Sequence, residues 1–116
     1  MQFVDLHNKI SVAELATMSH KMFGGQLVKA VVDIDKNIMV VDAAFHCDQE
    51  LLLLEEHDSQ QDYLWGINLH PDQFGKDDWI EFDSMINFKQ DNRTRGVDNP
   101  IIQKKIREIV NTLVIK

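Results

Sequence analysis

The sequence holds one cysteine, Cys47. An internal disulfide framework is therefore impossible, and a lone thiol fits a reducing, cytoplasmic compartment. Long apolar runs are missing as well. Leu51-Leu52-Leu53-Leu54 is the longest uninterrupted aliphatic stretch, far short of the roughly 18 residues that would span a bilayer. The N-terminus, MQFVDLHNKI, has no basic segment leading into an apolar one, so it does not read as a secretory signal. Glycine and proline are scarce, five and two among 116 residues. No glycine-rich loop that would cradle a phosphate is present, and the pair Gly24-Gly25 reads as a helix end.

Basic charge is also short. Twelve Lys and Arg face 19 Asp and Glu, a formal charge of −7. The imbalance is local. Residues 1–41 carry four acids and four bases, residues 42–83 carry twelve acids and one base (Lys76), and residues 84–116 carry seven bases and three acids. Nucleic acid is an unexpected partner, because phosphate binding wants a net basic face. A small anion site in the last third remains open, as does self-association of acidic surface with basic surface. With 44% hydrophobic residues the chain is a folding polymer, and its length suits a single domain.

Phe3 and Val4 suit a short first strand. Ser11-Val12-Ala13-Glu14 has the form of a capping box, in which the Ser hydroxyl accepts from the amide three residues on and the Glu reaches back. Val12, Leu15, Ala16, Ser19, Met22 and Phe23 then follow at helical spacing up to Gly24-Gly25. Gln26 to Ile34 and Ile38 to Ala43 read as strands, and the turn Asp35-Lys36-Asn37 between them marks a hairpin. Asp48 to Glu56 reads as a helix, since leucine favours helix over strand and the acids ahead of it complement the helix dipole. Tyr63 to Leu69 alternates as a strand does, and Pro71 stops it. Trp79 to Phe88 is the next expected strand. Asp98 is the expected cap of a last helix with Pro100 in its first turn and Ile102, Ile106, Ile109 and Leu113 as its apolar stripe. The order β-α-β-β-α-β-β-α predicts a single α+β domain. Its sheet is expected to be mainly antiparallel, of roughly four or five strands, with the helices packed on one face.

The strings Leu64-Trp65-Gly66-Ile67-Asn68-Leu69, Trp79-Ile80-Glu81-Phe82-Asp83-Ser84-Met85-Ile86-Asn87 and Asn92-Arg93-Thr94-Arg95-Gly96-Val97 resemble a family of prokaryotic proteins of about 110 residues, one domain's length, known only as a domain of unknown function. The resemblance extends over nearly the whole chain, including Val28 to Asp33 and Leu52 to Glu55. It implies no activity, substrate or cofactor. Relatives often carry an aromatic residue where His70 stands, which counts against a metal role for that histidine.

The most suggestive constellation is Asp83, Ser84 and Asn87, expected on one strand, with Asn92, Arg93 and Arg95 in the following loop. Two arginines can fork onto a carboxylate or phosphate, and Gly96 would let the backbone come close. The same residues can equally form an internal ion pair that pins the loop to the sheet. His46-Cys47-Asp48 with His57 and His70 offers metal-ligand types, but the spacing matches no zinc pattern, so no metal is expected. Nor does a nucleophile elbow occur. Trp65 and Trp79 suit either core packing or a partner surface. Two readings follow: a small cytoplasmic interaction or ligand-binding module that self-associates, and a small enzyme or anion-binding protein acting on a phosphate- or carboxylate-bearing ligand through Asp83, Arg93 and Arg95.

Overall fold

A computed structural model describes residues 1–116. The elements in chain order are β1 (Gln2–Val4), β2 (Ile10–Ser11), α1 (Val12–Met22), β3 (Val28–Asp33), β4 (Ile38–Val41), α2 (His46–Glu56), β5 (Leu64–Leu69), β6 (Ile80–Glu81), α3 (Pro100–Leu113) and β7 (Val114–Ile115). Five strands make an antiparallel sheet in the order β1-β4-β3-β5-β6. The expected α+β domain is therefore what forms.

Local chemistry accounts for the elements. Ser11 and Glu14 complete the capping box, with Ser11 Oγ accepting from the Glu14 amide at 3.0 Å and Glu14 Oε1 accepting from the Ser11 amide at 3.3 Å. The hairpin between β3 and β4 turns on Asn37, whose φ of 59° is a conformation asparagine tolerates. Asp33 holds that turn by accepting from the amides of Asp35 and Lys36. It takes a third bond, at 2.6 Å, from the hydroxyl of buried Ser59.

Side chains of alternate parity face two different cores. Val28, Ala30 and Val32 of β3 join Met39, Val41, Trp65, Ile67 and Leu69 against Leu15 of α1 and Ile106, Ile109, Val110 and Leu113 of α3. Val31, Val40 and Leu64 point the other way, onto Leu53 of α2. This corrects the expectation of helices on one face: α2 covers the opposite face. All six residues of β5 are buried as a result, the pattern of a strand covered on both sides. Of the four leucines, Leu53 is fully buried and Leu51 is exposed.

Three further details depart from expectation. The predicted strand from Trp79 to Phe88 is extended only at Ile80–Glu81, and 3-10 turns occupy Asp77–Trp79 and Met85–Asn87. The second turn forms because Ser84 Oγ accepts from the Ile86 amide, a local bond that competes with a strand ladder. The cap of α3 is Asn99 rather than Asp98, and its side chain accepts from the Ile101 amide at 2.9 Å. Asp98 instead accepts from the Arg93 amide and the Thr94 hydroxyl. A parallel pairing of β2 with β7 (Ile10 with Val114, Ser11 with Ile115) joins the start of α1 to the end of α3; no pattern in so short a pair predicts it. Both tryptophans are core residues, each 3% exposed.

Candidate functional site

The 83–98 segment is where sequence pattern placed the densest polar chemistry, and the structure divides those residues into two groups. Ser84, Asn87 and Asn92 are buried and bonded to backbone. Asn87 Oδ1 accepts from the Gly66 amide at 2.8 Å, and its Nδ2 donates to Gly66 O and Arg95 O, each at 2.9 Å. The carboxamide thus stands in for a strand beside β5, where β6 pairs only with Asn68 and Leu69. Asn92 Nδ2 donates to the carbonyls of Asn87, Thr94 and Gly96, while its Oδ1 accepts from the Asp98 amide. Ser84 gives its amide proton to Arg95 O at 2.9 Å and lies against Gly66. These three residues fold the loop back onto the sheet.

Asp83 and Arg95 are brought together at the surface, where Arg95 Nε donates to Asp83 Oδ1. That bond uses one donor and leaves the two terminal NH2 groups of the guanidinium without a protein acceptor. Arg93 is exposed and makes no ion pair with Asp83. None of the five main clefts is lined by Arg93 or Arg95.

Beside this pair, on the sheet face that α2 covers, runs a row of polar side chains. Lys29 of β3 lies opposite Asn68 of β5, and Asn68 lies opposite Glu81 of β6. Asn68 Nδ2 donates to Glu81 Oε1 at 3.0 Å and to the Asp83 carbonyl at 3.3 Å. Its Oδ1 is buried and has no partner. The first turn of α2 sits above the row. His46 Nε2 lies 2.8 Å from Ile67 O and Gln49 Nε2 donates to Lys29 O at 2.8 Å, while Gln49 Oε1 is likewise buried and unpartnered. A carbonyl can only accept, so Nε2 of His46 carries the proton and Nδ1 keeps its lone pair. Burial is the main reason the imidazole is held below its ordinary pKa. The Ile67 carbonyl works against that, the Lys29 charge adds to it, Asp83 opposes and Arg95 adds. His46 is thus a neutral ring, oriented by backbone, in the field of Lys29, Asp83 and Arg95.

The other histidines are dispersed. His57 stacks on Phe3 with ring centroids 4.1 Å apart. His70 contacts Gln26 O through Nδ1 and Glu81 through Nε2. Cys47 is exposed. They converge on no common centre with His46, and no group of three or more metal-ligating side chains forms.

Lys29, Asn68, Glu81 and Gln49 were not singled out by sequence reasoning. The signal existed for two of them: Lys29 and Asn68 are isolated polar residues in strands that are otherwise apolar on that stretch. Their register, which makes them neighbours, was invisible.

These features define an antiparallel α+β domain with a row of polar side chains on the sheet face beneath the first turn of α2. The chain belongs to the family described as protein of unknown function (DUF5674), which matches residues 4–113. No curated protein and no solved structure matches it.

Proposed function

We propose that the protein is a small ligand-binding module whose site is the polar row beneath α2. Its ligand carries a carboxylate or phosphate together with a hydroxyl or amine hydrogen. The observation that carries this reading is the pairing of free donors with an orphaned acceptor in one place. The terminal nitrogens of Arg95 are free to hold an anionic group, and the Lys29 ammonium, which lies over the Phe23 ring 5.6 Å from its centroid, has no acceptor of its own. The His46 Nδ1 lone pair is an acceptor in want of a donor, while Asn68 Oδ1 is unpartnered but closed off from solvent. Buried polar atoms without partners are uncommon in folded proteins and call for an explanation, of which a ligand is one. Asp83 orients Arg95, and Glu81 orients Asn68.

A thermal-shift screen against inorganic phosphate, small hydroxy acids, nucleotides and divalent metal salts tests this reading. The expected result is stabilisation by several degrees with an anion, lost in Arg95→Ala and kept in Arg93→Ala. A flat screen contradicts it. So does an anion effect that survives the loss of Arg95.

Self-association is the second reading, and charge placement favours it. α2 and α3 lie on opposite faces of the sheet. The outer surface of α2 carries Asp48, Glu55 and Glu56, and that of α3 carries Lys104, Lys105 and Arg107 against a single acid, Glu108. Unlike charges on opposite faces suit a contact between copies in which the α2 face of one meets the α3 face of the next. Mass measured by light scattering would then rise with protein concentration and fall with added salt; a monomer at every concentration and salt contradicts it. No helix is long and apolar enough to cross a membrane, and the exposed thiol of Cys47 supports a cytoplasmic setting.

A further inference from the structure

The outward side of α2 is not uniformly polar. Asp48, Leu51, Leu52 and Glu55 recur at i, i+3, i+4 and i+7, so they form one stripe along the helix. Leu51 is 53% exposed. Beside it lies a shallow groove of about 280 Å³, walled by Leu51, Leu52, Ala43 and Met1 and rimmed by Asp48 and Glu55. Phe45, also exposed, stands at the head of the same helix. Apolar side chains grouped inside a charged rim mark a contact surface.

Charge selects what can lie there. α2 carries Asp48, Glu50, Glu55 and Glu56 and no Lys or Arg, whereas α3 carries Lys104, Lys105 and Arg107 against Glu108 alone. Ile101 is 77% exposed, the most of any large apolar side chain. Lys104 and Lys105 follow it by three and four residues, on the same side of the helix. The start of α3 therefore reverses the pattern on α2: an apolar knob beside two cations, against an apolar groove between two carboxylates. None of Asp48, Glu55, Lys104 and Lys105 makes an ion pair within the chain.

We propose that the α2 groove seats α3 of a second copy, with Ile101 against Leu51 and Leu52 and with Lys104 and Lys105 on Asp48 and Glu55. The proposal rests on the self-association reading above and adds the residues in contact and the symmetry. Because α2 and α3 cover opposite faces of the sheet, one pair of copies cannot satisfy both surfaces of both members. The contact is heterologous, and it builds head-to-tail chains or a ring rather than a closed two-fold dimer. It is small, one knob and a few charges, so a dissociation constant of roughly 100 µM is expected.

Two substitutions at exposed positions separate the halves of the contact. Leu51→Gln spoils the groove and keeps the knob. Ile101→Asp removes the knob, sets a carboxylate against the acidic rim, and keeps the groove. Sedimentation equilibrium up to about 1 mM protein, tenfold above the expected constant, reads the mass, and circular dichroism reports whether each variant is folded. Leu51→Ala and Ile101→Ala, milder cuts at the same positions, replace either one that is not. The parent is expected to grow beyond a dimer. Each variant alone should associate at least about tenfold more weakly, the effect of losing one buried aliphatic contact. An equimolar mixture of the two should regain the parent's strength of pairing and stop at a 1:1 dimer, since only the groove of one and the knob of the other are intact. A mixture that associates no better than the separate variants overturns the proposal, as does a variant that associates as the parent does; in either case self-association stands, through another surface. A parent that is monomeric throughout overturns both, and leaves the groove to a basic amphipathic helix of a different protein.

Discussion

Asn87 is fully buried, and its carboxamide makes three hydrogen bonds to backbone, two with Gly66 and one with Arg95. Asn87→Ala removes all three and leaves the amide and carbonyl of Gly66 facing a small void, while the Arg95 carbonyl keeps the Ser84 amide as donor. An unpaired buried group costs about 1–3 kcal/mol, so the two together cost roughly 2–6 kcal/mol. Domains of this kind have about 5–15 kcal/mol in total. At roughly 4 °C per kcal/mol the midpoint should fall by about 8–24 °C. Urea unfolding followed by circular dichroism gives the free energy directly, and a thermal scan gives the midpoint. Asn87→Asp is the informative companion. It keeps the shape and the acceptor for the Gly66 amide, but sets a carboxylate against the carbonyls of Gly66 and Arg95, so it should be at least as unstable as the alanine variant at neutral pH. A loss under about 1 kcal/mol for Asn87→Ala would refute the idea that this side chain substitutes for a strand.

Gly66→Ala tests the same junction from the other side. A Cβ there would lie 2.5 Å from both Cβ and Oγ of Ser84, so overpacking of about 1–3 kcal/mol is expected by urea unfolding. Glu50 carries a buried Oε2 without a partner, and burial pushes its carboxyl above the ordinary value of 4.5, with Lys89 and Gln61 opposing. A raised carboxylate pKa destabilises the fold as pH rises through the folded value, so Glu50→Gln should raise the melting temperature at pH 7 and lose that advantage below about pH 4.5. For His46 the folded pKa lies below 6.5, so the unfolded chain takes up a proton first and stability falls as pH drops from 6.5 toward the folded value. Melting temperatures measured from pH 7.5 to 5 (a span chosen to bracket the ordinary histidine range) should fall less in His46→Gln than in the parent. Arg95→Ala breaks only an exposed ion pair and should change stability by less than about 1 kcal/mol, read by the same urea curves.

Much of the fold is legible in the residues. The capping box at Ser11, the hairpin turn at Asn37 and the alternation through Leu64–Leu69 are local signals, and local hydrogen bonds decide them. The placement of α2 was not legible. Four leucines in a row have no preferred side, and only the opposite parity of Val31, Val40 and Leu64 turns the helix to the second face. The expected strand through Phe88 failed because Ser84 and Asn87 spend their polar groups on nearby backbone, an option open to short polar side chains.

Within the candidate site, charge and residue type alone brought Asp83 and Arg95 together. Arg93 has the same type and a nearby position, yet only the path of the loop sets it apart from Asp83. Lys29, Asn68 and Glu81 form a row through strand register, and register between strands distant in sequence leaves no trace in a single chain.

The imidazole nitrogens of His46 report most directly on the proposed site. Long-range proton–nitrogen spectra at pH 7 should show Nε2 protonated and Nδ1 bare. Titration with lactate, which has both a carboxylate and a hydroxyl hydrogen, should shift the Nδ1 resonance in the parent and leave it still in Arg95→Ala. An Nδ1 that is protonated at the outset, or that moves equally in both proteins, would contradict the account.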